Sequence, residues 1–180
     1  MKHLIKIDYF RHLDINGNIL YEEKDIKNII HSKGQEYILR VLFDGYGIPN
    51  DYYIGLDNRT TLQLEDTLET ISPVEPSSNG YARQSVGNDK FNLTVGSPDA
   101  NYKADSPIVL FRATGGLWGP VKNVFLSSTL STTSGLDSSG SKPIIQTVIS
   151  SISLSSEVTV NSGESVSMKI SLGLENFSST

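Results

Sequence analysis

The sequence predicts a mainly β fold, a jelly-roll-like antiparallel β-sandwich with an N-terminal hairpin and one short amphipathic helix. Three observations predict it. Short runs rich in β-branched and aromatic residues recur at intervals of roughly 8–12 residues. Turn-forming residues, among them 15 glycines and 7 prolines in a chain of 180 residues, separate these runs. The last run, SVSMKISLGL at 165–174, alternates strictly between polar and apolar residues, which is typical of a half-buried antiparallel strand.

The first predicted element is a hairpin. Two β-rich runs, HLIKIDYFRHL and ILYEE, flank the segment DINGN at 14–18. The dipeptide Asn16-Gly17 favours a type I′ turn, which needs positive φ at both central residues. A calcium-binding loop is the alternative, but an EF-hand loop needs alternating acidic positions and a closing glutamate that this stretch lacks. We therefore expect a turn here.

The segment after the hairpin predicts one helix. SKGQ at 32–35 fits a capping box, and Gly45 is a natural stop for a helix. The apolar residues between them form one helical stripe, made of Tyr37, Ile38, Val41 and Leu42. An isolated helix of this length is not stable in water, so we expect the stripe to pack on a sheet or on a neighbouring subunit.

The rest of the chain is predicted to form short strands. The candidates are YYIGL (52–56), YARQSV (81–86), FNLTV (91–95), PIVLFRA (107–113), VKNVFL (121–126), IIQTVISSISL (144–154), VTV (158–160) and SVSMKISLGL (165–174). The last two candidates, joined by NSGE, predict a closing hairpin. The segment TLQLEDTLETI at 61–71 is ambiguous because its leucines also suit a short helix. The serine-rich segment 128–142 is expected to be a mobile surface loop.

Composition excludes several kinds of site and partner. The chain has no cysteine, which excludes disulfides, thiolate metal sites and cysteine nucleophiles. Its net charge of −5 is spread along the sequence, so there is no basic patch for a phosphate backbone and nucleic acid is not an expected partner. The N-terminus lacks an apolar h-region and no long apolar window occurs, so we expect neither a secretory signal nor a membrane span.

Patterns that carry catalysis are scarce. None of the three histidines, His3, His12 and His31, has a ligand partner at metal-binding spacing on one element. No P-loop, nucleophile elbow or dinucleotide fingerprint occurs. We therefore expect no metal, no cofactor and no enzymatic activity. A small hydrolase is the less favoured alternative, and it would need two carboxylates with shifted pKa values in a deep pocket.

Seven residues are candidates for an interface: Tyr37, Ile38, Val41, Leu42, Tyr81, Arg83 and Trp118. The first four form the helical stripe. Tyr81 and Arg83 belong to a predicted edge strand, where Arg83 is expected to hold a neighbouring loop, carboxylate or subunit. Trp118 follows a Gly-Gly turn and is expected to cap the core rather than to form an exposed contact. If the last three residues shared one loop end, they would form a shallow receptor- or carbohydrate-binding site, which is the alternative function.

Four segments in order resemble small structural proteins of tailed-bacteriophage virions. They are YIGLDNRTTLQLEDTLETI, GYARQSV, PIVLFRATGGLWGPVKNVFLS and VTVNSGESVSMKISLGL. The helix segment SKGQEYIL, which follows a strand and an N-G turn, adds to this resemblance. The resemblance implies a jelly-roll-like sandwich that serves as a non-enzymatic virion component, in capsid decoration or as a head–tail or tail accessory part. It brings no catalytic residues with it.

The resemblance also implies an organisation. We expect a chain made in the host bacterial cytoplasm and located in the virion, where it binds other virion proteins such as major capsid, tail or neck proteins. Residues 1–45 are predicted to be the attachment or oligomerisation element, and residues 46–180 the sandwich body. Homo-oligomers are symmetric, and a trimer is the expected state by analogy with threefold positions in capsids. Neither a membrane nor a nucleic acid is an expected partner.

Overall fold

The computed structural model describes residues 3–60, 62–95, 102–130, 135–136 and 139–174. Short 3-10 turns lie at Ser72–Val74 and Asn88–Lys90, between the helices and strands that form the main elements. In chain order these are β1 (His3–Leu13), β2 (Ile19–Lys27), β3 (Ile29–Ile30), α1 (Ser32–Phe43), β4 (Asp51–Asp57), α2 (Leu68–Ile71), β5 (Gln84–Gly87), β6 (Asn92–Val95), β7 (Tyr102–Asp105), β8 (Val109–Arg112), β9 (Trp118–Ser127), β10 (Gly135–Leu136), β11 (Pro143–Ile144), β12 (Val148–Val160) and β13 (Ser165–Leu174).

The main strands form two antiparallel sheets. Sheet A has the order β2-β1-β13-β7-β6, and β8 also pairs with β13. Sheet B has the order β3-β12-β9-β4-β5, and β10 pairs with β11 in a separate ribbon. Apolar side chains of both sheets meet in one core, for example Phe10 and Met168 from sheet A with Leu56 and Val124 from sheet B. The predicted mainly β, sandwich-like class is confirmed.

The outer face of sheet B carries a further layer. Leu68 and Ile71 of α2 pack on Phe125 and Val148 in a second apolar cluster. Gly55 makes room for the Phe125 ring on which this layer packs, because a Cβ at that position would overlap the ring. The ambiguous segment 61–71 therefore contributes one short helix, α2, which lies on the outer face of the sheet. We call residues 62–75, which include this helix, the covering layer.

The N-terminal hairpin and α1 share the core of the sandwich. Strand β1 lies between β2 and β13 in sheet A. Helix α1 packs on β12, where Gly34 lies so close to the carbonyl of Ile149 that a Cβ would overlap it. Tyr37 is buried among residues of the main core. The separate attachment role of residues 1–45 stays a prediction, but these elements fold together with the body.

The β1–β2 turn forms without the expected type I′ geometry. Gly17 has a φ of +86°, but the only described non-glycine residues with positive φ are Asp25 and Asn79. The Asp14 side chain holds the turn instead, since its Oδ1 accepts from the N–H groups of Asn16 and Asn18, each at 2.8 Å. One left-handed glycine and one aspartate side chain are therefore sufficient to turn the chain.

Helix α1 begins without the expected capping box. Its N-cap residue is His31, and no side chain caps the first turn. Ser32 instead donates its hydroxyl to Glu65 Oε1 at 2.5 Å, and the His31 N–H donates to the carbonyl of Ile149 at 3.1 Å. Contacts with distant segments therefore hold the first turn, in place of the local cap that the sequence predicts.

The predicted closing hairpin is wrong. Strands β12 and β13 are consecutive, but β12 lies in sheet B and β13 in sheet A. The turn at 161–164 thus carries the chain from one sheet to the other. The alternation still predicted β13 correctly, because Val166, Met168 and Ile170 all face the core. Alternation reports which face of a strand is buried, and carries no information on which strand lies beside it.

Other boundaries moved by a few residues. Strand β5 begins at Gln84, so Tyr81 and Arg83 precede it. Strands β3 and β7 were not predicted, since one is two residues long and the other, YKAD, is polar. Residues 131–134 and 137–138 of the predicted mobile loop 128–142 lie outside the described residues, and β10 lies between them. At its start, Ser128 is buried and donates its hydroxyl to the carbonyl of Ile145.

Candidate interaction surfaces

The sequence singled out three residues as candidates for one binding site, and the structure brings them close together. They are Tyr81, Arg83 and Trp118. Trp118 is only 2% exposed, and its Nε1–H donates to the carbonyls of Ser78 and Asn79 at 3.1 Å. The Tyr81 ring stacks on Phe111 and meets Trp118 edge-on, with ring centroids 6.0 and 5.6 Å apart. Trp118 therefore caps the core, and none of its ring face is left for a sugar or a receptor.

Glu75 completes this group, and sequence reasoning missed it. Its carboxylate accepts from the Tyr81 hydroxyl at 2.6 Å and from Arg83 Nη2 at 2.5 Å. The Arg83 and Glu75 side chains are each only 7% exposed. Burial, together with the negative charge and hydrogen bond of Glu75, raises the pKa of Tyr81 far above its usual value, so the phenol stays neutral. No local pattern marks Glu75, because only the fold brings its loop to Arg83.

Arg83 also joins two further segments. It donates to the carbonyl of Leu130 at 2.7 Å and to Ser72 Oγ at 2.8 Å, and its guanidinium lies over the Phe125 ring at 5.2 Å. The expectation that Arg83 holds a loop and a carboxylate is confirmed. These contacts fasten the covering layer to sheet B and engage the side chain within the chain.

Two buried carboxylates, Asp57 and Asp66, share one guanidinium. Arg59 donates to Asp57 Oδ2 at 3.1 Å and to Asp66 Oδ1 at 2.9 Å. Burial alone would raise the pKa of Asp66, but hydrogen bonds from the Gln63 N–H, from Arg59 and from Thr70 outweigh it and lower that pKa. The pair ties the covering layer to β4, since Asp57 ends that strand. It does not present two free carboxylates across a cleft.

The two histidines whose side chains are described are engaged inside the fold. His12 Nε2 lies 2.7 Å from Glu164 Oε2, and His31 Nε2 lies 2.7 Å from Ser151 Oγ. Burial lowers the pKa of His31. Among the described residues, no group of three or more histidine or carboxylate side chains is placed to hold a metal. Nor does any helix in the described part of the chain have the length and apolar character to cross a membrane.

The predicted helical stripe divides between the core and the solvent. Tyr37 is 4% exposed, and its hydroxyl lies 3.0 Å from that of Tyr52. Ile38 and Val41 are half-buried against the main core. Leu42 is 66% exposed. Three of the four stripe residues therefore pack on the chain itself and anchor α1, while the role of the stripe as an interface stays a prediction.

The solvent side of α1 carries a second apolar surface, of which the sequence singled out only Leu42. This outer α1 face consists of Leu39, Leu42 and Phe43, which are 57%, 66% and 82% exposed. An open groove runs along it, lined by Ser32, Gln35, Glu36, Leu39, Arg40, Phe43 and Asp44. The run LRVLF is apolar on more than one side of the helix, so periodicity alone could not tell which side meets the core.

A row of alternating charges borders this face. Lys33 pairs with Glu36 at 2.7 Å, Glu36 pairs with Arg40 at 2.9 Å, and Arg40 pairs with Asp44 at 2.7 Å. We call these four residues the charge ladder. The ladder carries no net charge, so the outer α1 face combines an apolar centre with a neutral but strongly patterned flank.

Comparison with protein-family models, with curated proteins and with solved structures finds no match to the chain.

Proposed function

We propose that the chain is a non-enzymatic structural protein of a tailed-bacteriophage virion, a capsid decoration or head–tail or tail accessory component. It is made in the host bacterial cytoplasm and binds other virion proteins, and copies of itself, through protein–protein surfaces. The ordered resemblance of four segments to such proteins supports this function. The observation that carries it is the outer α1 face, because contiguous exposed apolar side chains on a soluble fold mark interaction sites.

The use of polar side chains also supports a structural role. Arg83 is held by Glu75, Arg59 by Asp57 and Asp66, and His12 by Glu164. These guanidinium, carboxylate and imidazole groups are of the kinds used in catalysis, and here they link separate segments of the chain. A shell component needs such cross-links, and it binds through broad faces rather than through a cleft.

The experiment is quantitative mass spectrometry on purified particles of the phage or prophage that encodes the chain. We expect the chain in the particles at a constant copy number, and we expect a deletion of its gene to give particles that are incomplete or dissociate more readily. Complete absence of the chain from purified particles would contradict the proposal. Deletion of residues 1–45 is unsuitable as a probe, because it removes β1 and β2 from sheet A.

A further inference from the structure

We infer that the partner of the outer α1 face is a second copy of the chain, bound so that the two α1 helices lie antiparallel across a two-fold axis. The inference extends the proposed function, on which its biological setting rests, by naming the occupant of this face. The paired arrangement itself is inferred from the order of side chains along α1.

The spacing of the outer α1 face suits a helix–helix seam. Ser32, Gln35, Leu39 and Leu42 follow one another at intervals of three or four residues, which places them along one side of the helix. A two-fold axis near residues 38 and 39 brings Leu39 against Leu39 of the second copy. Phe43 then lies beside Gln35 of that copy.

The charge ladder selects the direction of the second helix. A two-fold axis perpendicular to α1 keeps the same flank of both helices on the same side, so ladder meets ladder in reversed order. Lys33 then faces Asp44 of the second copy, and Glu36 faces Arg40. Both pairings require the axis at the same place, close to residue 38. Every charge in the ladder therefore meets an opposite charge.

The helix dipole favours the same arrangement. Lys33 lies in the first turn of α1, which contains no acidic residue, and Asp44 is the C-cap residue, so these two charges oppose the macrodipole, whereas Arg40 in the last turn complements it. In the antiparallel pair, Asp44 of the second copy comes beside the positive N-terminal turn, and Lys33 comes beside the negative C-terminal turn. The second copy thus offsets the unfavourable placement of Lys33 and Asp44 in the single chain.

A parallel arrangement gains neither benefit. In a parallel arrangement around a two-fold or threefold axis, the flank of α1 with the charge ladder lies beside the opposite flank of the next copy. That opposite flank contains Leu42 and Gln35, which carry no charge. The side-chain order therefore favours a dimer through α1, whereas the analogy with capsid positions favoured a trimer. The mass of the assembly separates the two.

Light scattering coupled to size-exclusion chromatography tests the dimer with the full chain. The expected mass is twice 19.7 kDa. The variant Leu39→Glu/Phe43→Glu should elute as a monomer, because it places four carboxylates in the seam. The control Ile15→Glu, which alters a 70% exposed side chain in the β1–β2 turn, should stay dimeric. A wild-type mass of one or three chains at high micromolar concentration would overturn the inference.

Crossed charge variants test the antiparallel order. Lys33→Glu alone and Asp44→Lys alone each put like charges at both ends of the pair, so each should weaken dimerisation by at least about fivefold. An equimolar mixture of the two variants should regain dimers, because the mixed pair has unlike charges at both ends. Sedimentation equilibrium measures the three samples. A mixture that associates no better than its two components would overturn the antiparallel pair.

Self-association and particle incorporation are separate readouts. If the chain is present in particles but monomeric in both tests, the inferred pair is wrong and the proposed function stands. If the chain forms the dimer but is absent from particles, the proposed function is wrong and the pair stands.

Discussion

At the scale of single residues, the buried charged groups have matched partners. Arg83 and Glu75 form a pair in which each side chain is 7% exposed. Removing one member of such a pair leaves the other charge buried without compensation, which costs far more than the pair contributes. The Arg11–Glu22 pair on sheet A offers a comparison, since its side chains are 36% and 25% exposed.

Arg83→Ala should therefore lower the free energy of unfolding by about 3–5 kcal/mol. Arg11→Ala, the matched control, should lower it by less than about 1 kcal/mol, because an exposed pair is screened by water. Urea unfolding followed by tryptophan fluorescence measures both values. Equal effects of the two substitutions would show that Glu75 does not depend on Arg83.

Asp66 predicts a dependence of stability on pH. Its pKa in the folded chain is lowered, because hydrogen bonds from Gln63, Arg59 and Thr70 outweigh the effect of burial. Such a carboxyl contributes stability above its unfolded pKa of about 3.9, and this contribution is lost as the pH falls through the folded pKa. Asp66→Asn should therefore destabilise the chain at neutral pH, and the difference from wild type should shrink below about pH 4.

Urea unfolding at a series of pH values measures this difference. A difference between wild type and Asp66→Asn that stays constant from neutral to acidic pH would contradict the assigned role of the carboxylate.

At the scale of elements, the close approach of α1 to β12 depends on one glycine. A Cβ at Gly34 would overlap the carbonyl of Ile149. Gly34→Ala should lower the free energy of unfolding by about 1–3 kcal/mol through this overlap, although alanine favours an isolated helix by about 1 kcal/mol. Glu157→Ala, which alters an exposed side chain of β12 outside the proposed seam, should be nearly neutral. Thermal unfolding followed by circular dichroism compares the two, and a stabilising Gly34→Ala would refute the contact.

Local patterns predicted the elements better than their neighbours. The alternation in 165–174 correctly predicted β13, and the stripe correctly predicted a helix at α1. The pairing of β12 with β13 failed because the side-chain alternation of a strand carries no record of its partner. The predicted cap of α1 failed because a local pattern does not report distant contacts. The Ser32 hydroxyl bonds to Glu65, 33 residues away in sequence, and does not cap the helix.

The candidate surface was predictable only in part. The sequence identified α1 as the element with apolar residues to cover, and Leu42 is indeed exposed. Leu39 and Phe43 were missed because the run LRVLF is apolar on several sides, and only the packing of Tyr37 against the core decides which side faces out. Tyr81 and Trp118 were singled out for their chemistry, which the fold uses to close its own core.

At the scale of the whole molecule, side chains join the two sheets at several places. Glu23 of β2 accepts from the N–H and the hydroxyl of Ser155 on β12, at 2.9 and 3.0 Å. His12 of β1 meets Glu164 in the turn between the sheets. These links engage polar groups within the sandwich, while α1 keeps one apolar face toward solvent. We therefore expect two copies of the chain to pair through that face, and the pair to be the unit that enters a larger assembly.

The incorporation of variant chains into particles tests this account most directly. Particles assembled with Leu39→Glu/Phe43→Glu, with Ile15→Glu or with the wild-type chain are purified, and the amount of chain per particle is measured by quantitative mass spectrometry. We expect the double variant to fall by at least about tenfold and the Ile15→Glu control to match wild type. Wild-type incorporation of a double variant that is folded by circular dichroism would contradict the account.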